Sequence, residues 1–169
     1  MTKIIKDFDS QIEVVGSITK LSPQVFGKIV VAGSHGGALP GVFAIRAGVR
    51  AVILNDAGIG LEQAGTASLD VCQKAQMAAV TVSNMTCSIG SGEDILKRGI
   101  VSGVNQIANS YGVEIGQAAN VSLIKLIAAE QPPKQVTSEF KELREVHKNP
   151  RTKLQTVLVD SASMVSSND

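Results

Sequence analysis

Lys28-Ile29-Val30-Val31-Ala32, followed at once by Gly33-Ser34-His35-Gly36-Gly37, is the stretch on which the fold turns. The apolar run does not alternate with polar residues, so it describes a strand buried on both faces, as in a parallel sheet covered by helices. Glycines then stop the strand, and Pro40 stands at a favourable first helical position. The helix it opens buries Leu39, Val42, Phe43 and Ala47 and ends at Gly48. The same order of strand, small-residue loop and helix then recurs. Val49–Leu54 runs into Asn55-Asp56-Ala57-Gly58-Ile59-Gly60, and a helix is predicted from Leu61 to Gln76 with Leu61, Ala64, Ser68, Leu69, Cys72 and Ala75 on one face. Ala78–Val82 is the next buried strand, leading into the polar stretch Ser83 to Gly92. Repeated βαβ units of this kind predict an α/β fold: a mainly parallel sheet with helices packed on it in three layers.

Outward from this centre the signals are shorter. Upstream, Ile12 to Thr19 reads as a strand that ends at Ser22-Pro23. Downstream, Ser91 and Asp94 have the spacing of a capping box. Ile100, Val101, Val104, Ile107, Ala108 and Tyr111 form a helical stripe closed by Gly112. Val113–Ile115 reads as a short strand and Asn120–Glu130 as a helix. Gln131-Pro132-Pro133-Lys134 opens a linker over 131–136. Beyond it Thr137 caps a charged helix reaching His147, with Phe140, Leu143 and Val146 inward, and Leu154–Val159 is a last strand. Residues 161–169 form a tail that only Met164 and Val165 would hold down. The segment 14–23 matches 158–167 at three of ten positions, which suits either two strand-and-turn elements of one type or coincidence.

The 169 residues fit a single domain, which buries roughly 70% of its unfolded surface. Aromatic residues are 3% of the chain, so the core is built from Val, Ile, Leu and Ala. Sixteen basic residues against fifteen acidic ones give a net charge of +1, too balanced for a basic stripe that neutralises phosphates. Few aromatics also means no stacking platform, so nucleic acid is excluded as the main partner. Met1 to Ser10 is polar and lacks the apolar run of a signal peptide. The apolar stretch Ala47–Leu54 is interrupted by Arg50 and far shorter than the ~20 residues that span a bilayer. Cys72 and Cys87 make neither a disulfide framework nor a zinc site. The expectation is a cytoplasmic protein without membrane partners. Its low charge on an apolar chain favours a homo-oligomer.

Three strands end in loops of small polar residues, which parallel strands bring to one carboxyl edge, where ligands bind. Ser34-His35-Gly36-Gly37, Asn55 to Gly60 and Thr86 to Gly92 are therefore expected to converge. Backbone amides at Gly36, Gly37, Gly58 and Gly90 are candidate donors to an anionic small molecule. The bland alternative is that these glycines only make tight turns. Named motifs fail on single residues. Gly60-x4-Gly65-Thr66 has the glycine spacing of a P-loop without its lysine, and Gln63 stands where a dinucleotide fingerprint wants glycine. Glu93, six residues after Cys87, stands where a thiol phosphatase would place arginine. Ala32-Gly33-Ser34-His35-Gly36 resembles the nucleophile elbow of α/β-hydrolases over five residues. That resemblance implies Ser34 as nucleophile with Asp56 and His147 as partners, but the α/β-hydrolases have several strands ahead of the elbow and this chain has one.

The residues expected to carry chemistry are His35, Asp56, Ser34 and Cys87. His35 can move protons near neutral pH, Asp56 can orient it, and Ser34 or Cys87 can attack. Cys87 precedes a helix start, which lowers a thiol pKa, whereas Cys72 sits on an apolar stripe and belongs to the core. Asn55, Ser88 and Asn105 join the glycines as candidate ligand-binding residues. Each also has a structural reading: a turn histidine, an Asx turn or cap, a buried spectator thiol, a solvated helix face. No His, Cys, Asp and Glu cluster has metal-ligand spacing, and neither metal nor cofactor is expected. The expected function is a hydrolase or lyase acting on a carbonyl or carboxylate compound. The alternatives are a non-catalytic module that binds an anionic metabolite, or a subunit of a homo-oligomeric assembly.

Overall fold

A computed structural model describes residues 9–133, 143–152, 154–159 and 165–166. The chain divides into two compact units, residues 1–137 and 138–169.

The first unit is built on a five-stranded sheet of β1 (Ile12–Val15), β2 (Ile29–His35), β3 (Ala51–Asn55), β4 (Ala78–Val82) and β5 (Val101–Val104), hydrogen-bonded in that order. The first four strands are parallel, and β5 pairs antiparallel with β4. The α/β architecture expected from the apolar runs is present. Every residue of β3 and β4 is buried, as is β2 as far as Gly33, because helices cover both faces.

Alternate strand residues feed two cores. Val30, Ala32, Val52, Leu54 and Ala79 pack with Ala44 and Ile45 of α1 (Ala38–Arg46) and Cys72 of α2 (Ser68–Lys74). Ile29, Val31, Ala51, Ile53, Ala78 and Val80 pack on the other face. Their partners are α3 (Gly92–Arg98), α4 (Gln106–Ser110) and α5 (Ala119–Leu126), through Ile95, Leu96, Ala108, Leu123 and Leu126. The β1–β2 connection contributes Ile18 and Val25 to the α1/α2 face. Three successive crossovers on one face set the first four strands side by side in chain order. Glu13 pins the first crossover: its carboxylate accepts the Ser22 amide and hydroxyl, both at 2.6 Å, and lies 3.3 Å from Lys28 Nζ.

Several local expectations are corrected. The strand from Ile12 stops at Val15, and Ile18–Lys20 is a 3₁₀ turn capped by Ser17. The helix expected over Leu61–Gln76 is broken: Leu61–Thr66 is a 3₁₀ segment containing left-handed Glu62 (φ 53°) and Gln63 (φ 58°), and only Ser68–Lys74 is α-helical. Ala57 (φ 49°) and Ile59 (φ 66°) are left-handed too. Four side-chain-bearing residues within 57–63 therefore occupy a region that L-residues avoid. The helix expected over Ile100–Tyr111 is β5 followed by α4. Val101 and Gly103 alternate inward, and pairing of Val104 with Val80 and Gly103 with Thr81 overrides the helical spacing. Residues 113–115, expected as a strand, lie in a turn between Gly112 and Gly116, both at positive φ. The Ser91–Asp94 cap is formed, with Asp94 N donating to Ser91 Oγ at 3.1 Å.

The second unit contains an antiparallel hairpin of β6 (Arg144–Lys148) and β7 (Gln155–Val159), with Val146 opposite Val157. Its turn is closed by Asn149 Oδ1, which accepts the amides of Arg151 and Thr152. The helix expected up to His147 is thus a strand over 144–147, since a cross-strand partner is available there; its earlier part lies outside the described residues. So do residues 134–136 of the linker over 131–136, all of the C-terminal tail except Val165 and Ser166, and most of the segment 158–167. No helix among the described residues is long and apolar enough to cross a membrane.

Candidate functional site

The sheet topology sets where a site can form. After β3 the chain turns to α2 on one face, and after β4 it turns to α3 on the other. Neighbouring loops that part to opposite faces leave a crevice at the carboxyl ends of the strands. A cavity of about 410 Å³ occupies that position, lined by Asn55, Ala57, Asn84, Met85, Thr86, Cys87, Ser88, Ile89 and Arg98. The volume lies within the ordinary range for small-molecule sites.

At its floor Asn55 is fully buried at the end of β3. Its Oδ1 accepts the Ala57 amide at 2.8 Å, while Nδ2 faces Cys87 Sγ and the Cys87 carbonyl, each at 3.5 Å. Thr86 Oγ1 donates to the Ser83 carbonyl at 2.8 Å and accepts from Ile100 N at 3.0 Å. Arg98, half exposed at the end of α3, grips Asp94 through Nε at 2.8 Å and Nη2 at 2.5 Å. Asp94 also accepts the Ser88 amide at 2.8 Å. Its hydrogen bonds from Arg98 and Ser88 hold its carboxyl well below the usual carboxylate range.

Of the residues expected to carry chemistry, this cavity gathers Asn55, Cys87 and Ser88. It does not take in the others. His35 pairs with Asn55 across the β2–β3 ladder, yet its side chain is exposed and its Nδ1 accepts the Gly37 amide at 3.2 Å. Asp56 is buried, and its Oδ1 accepts Gly58 N and Asn84 N, both at 2.9 Å, so it closes its own turn and ties it to the loop after β4. No hydrogen bond among the described residues joins His35 to Asp56. Ser34 Oγ accepts Ile18 N at 2.9 Å, so it secures the β1–β2 connection, and no imidazole or carboxylate among the described residues of the first unit is hydrogen-bonded to it. Asn105 lies at the other edge of the sheet, where it bonds Met77, Ala79 and Ala108. Its role is structural.

The glycine donors are also corrected. Gly36 N bonds the Asn55 carbonyl, Gly37 N bonds His35, Gly58 N bonds Asp56, and Gly90 N bonds the Gly33 carbonyl. These amides close the loops on themselves. Some of the glycines are there because another backbone crosses them. A Cβ on Gly36 would lie 2.6 Å from the Gly65 carbonyl oxygen, inside the 3.0 Å that real Cβ atoms essentially never breach.

Cys87 is buried at 4% exposure. Burial pushes its thiol up, outweighing the hydrogen bonds from Thr86 and Asn55 that act in the opposite sense. Burial pushes Cys72 up to about 12. Neither is a poised nucleophile. Maleimide at pH 8 is therefore expected to leave Cys72 unlabelled in the native protein and to label Cys87 at least about a hundredfold more slowly than a free thiol, with both reacting in denaturant. Rapid native labelling of Cys87 in a mass-spectrometric time course would contradict its placement at the cavity floor. Among the described residues no group of three His, Cys, Asp or Glu side chains is placed to hold a metal ion.

Among the polar cavity residues, those not singled out from the sequence are Asn84, Thr86 and above all Arg98. One signal was available: Asp94 and Arg98 stand four apart, on one helix face, directly after a cap. No protein-family model, no curated protein and no solved structure matches the chain.

Proposed function

We propose that this protein binds a small molecule carrying a carbonyl or a carboxylate in the cavity between the β3 and β4 loops. The observation that carries the reading is Arg98: a cationic side chain lines a polar cavity in which Asn84 and Ser88 are also exposed. A guanidinium is the side chain best suited to hold a planar carboxylate. Met85 and Ile89, 86% and 56% exposed, supply apolar walls at the mouth.

Binding without turnover is favoured over the hydrolase or lyase reading. Cys87 is surrounded by Asn55, Thr86 and the Ser83 carbonyl, and among the described residues no imidazole or carboxylate is bonded to it to remove its proton. Ser34 and His35 lie outside the cavity's lining, Ser34 bonded to the Ile18 amide and His35 accepting the Gly37 amide through Nδ1.

The test is an amide-resolved NMR titration of the whole chain with pyruvate, which combines a carbonyl and one carboxylate. Shifts are expected to concentrate at residues 55–58 and 84–88. Arg98→Leu should weaken the interaction by about tenfold or more, the value of a charge-assisted hydrogen bond. Equal titration of wild type and R98L, or shifts scattered over the surface, would remove the cavity from the function. Recovery of the pyruvate unchanged separates binding from turnover.

A further inference from the structure

The charge that the cavity presents is decided by a residue outside its lining. Arg98 is the one charged residue in that lining, but its Nε and Nη2 are both taken by Asp94. The same carboxylate holds the Ser88 amide, another element of the wall. Cation and anion thus cancel beside the cavity, and Arg98 has its Nη1 side left to offer. Asp56, the carboxylate just after β3, is buried and turned onto the amides of Gly58 and Asn84.

Resting on the binding reading above, we infer that Asp94 sets the charge class of the ligand: by occupying the side-on fork of Arg98 and the Ser88 amide, it restricts the cavity to molecules with at most one carboxylate. A second carboxylate would meet the Asp94 charge with no cation in the lining besides the already paired Arg98 to offset it, and like charges so placed repel. A neutral carbonyl or a single carboxylate can still take the end-on face of the guanidinium. An ordinary exposed i,i+4 pair, by contrast, contributes little and has no bearing on which molecule binds.

The two cases separate by selectivity. Pyruvate and malonate are of similar size and carry one and two carboxylates. Their affinities are to be measured by the same NMR titration for wild type, Asp94→Ala, Asp94→Asn and the double variant D94A/R98L, each checked for folding by its amide spectrum. Asparagine keeps an acceptor for the Ser88 amide and so guards against loss of the loop. Wild type is expected to prefer pyruvate. D94A and D94N are expected to gain about tenfold or more for malonate relative to pyruvate, and D94A/R98L to lose that gain. Unchanged selectivity in both single variants overturns the inference, even where R98L has shown that wild type binds pyruvate. Failure of every variant to bind either probe also overturns it. Binding of malonate by D94A when wild type binds neither probe supports the inference and sinks the binding reading for wild type instead.

Discussion

Gly33→Ala is expected to destabilise the first unit by about 3 kcal/mol, the upper range for forcing an extra methyl into packed backbone, and to lower its melting temperature by about 10 °C. The effect has nothing to do with φ, since Gly33 lies within β2. A Cβ there would overlap the Ser91 nitrogen and the Gly90 carbonyl carbon and come within 2.8 Å of the Gly16 carbonyl oxygen. All three are main-chain atoms, so no side chain can swing aside. The Gly90 amide donates to the Gly33 carbonyl at 2.7 Å, which holds the β4–α3 loop against the strand. Gly60→Ala is the matched control. Nothing lies within 4 Å of a Cβ at Gly60, but its φ of +72° and ψ of −178° fall in a region almost confined to glycine, so the substitution should cost about 1–3 kcal/mol, all of it conformational and none of it a clash. Chemical denaturation of both variants checks the contrast. A G33A protein that melts with wild type means that the crossing of β2 by the 90–91 loop does not exist.

Asn105→Ala should weaken the fold by a similar amount, about 3 kcal/mol, because it strands several buried backbone groups together. Asn105 is 6% exposed. Its Oδ1 accepts Ala79 N at 3.1 Å and Ala108 N at 2.9 Å, and its Nδ2 donates to the Met77 carbonyl at 2.7 Å. One side chain thereby caps α4 and completes the entry to β4. Asn105→Asp keeps the two accepted bonds but sets a carboxylate against the Met77 carbonyl, so it should destabilise as well. Pyruvate affinity of the folded N105A protein is expected to match wild type, since the residue stands at the edge of the sheet away from the cavity. Thermal melts and the titration together check this. A stable N105A protein that has lost ligand would restore Asn105 to the binding site.

The contrast between these residues shows which parts of the molecule the sequence makes legible. The central strands were readable because parallel strands buried on both faces leave uninterrupted runs, as at Ile29–Ala32 and Ala78–Val82. The cap at Ser91 was readable because it is a local bond across three residues. β5 was not readable. Ile100, Val101, Val104, Ile107 and Ala108 satisfy a helical period, and only the presence of β4 beside them decides otherwise. The site divides in the same way. That the loops after β2, β3 and β4 share an edge followed from parallel strands. Which groups they leave for a ligand did not, because it depends on bonds made at long range. Asp56 reaches Asn84, twenty-eight residues on, and Ser34 turns back to Ile18. A polar residue in a glycine loop is therefore as often spent on the loop itself as offered outward. Arg98 escaped notice for the opposite reason, since its pairing with Asp94 looks like an ordinary surface pair until the chain is folded.

The left-handed residues between β3 and α2 carry a consequence for how the molecule comes apart. Ala57, Ile59, Glu62 and Gln63 each hold about 1 kcal/mol that the unfolded chain does not hold, and all four are exposed, although Ile59 keeps about half of its surface covered. Opening this span releases that energy and gives up little apolar burial, so it needs far less free energy than parting the strands on either side. It is the seam of the domain. Because Ala57 lines the crevice, a fluctuation there is expected to open it from the β3 side before the sheet itself yields.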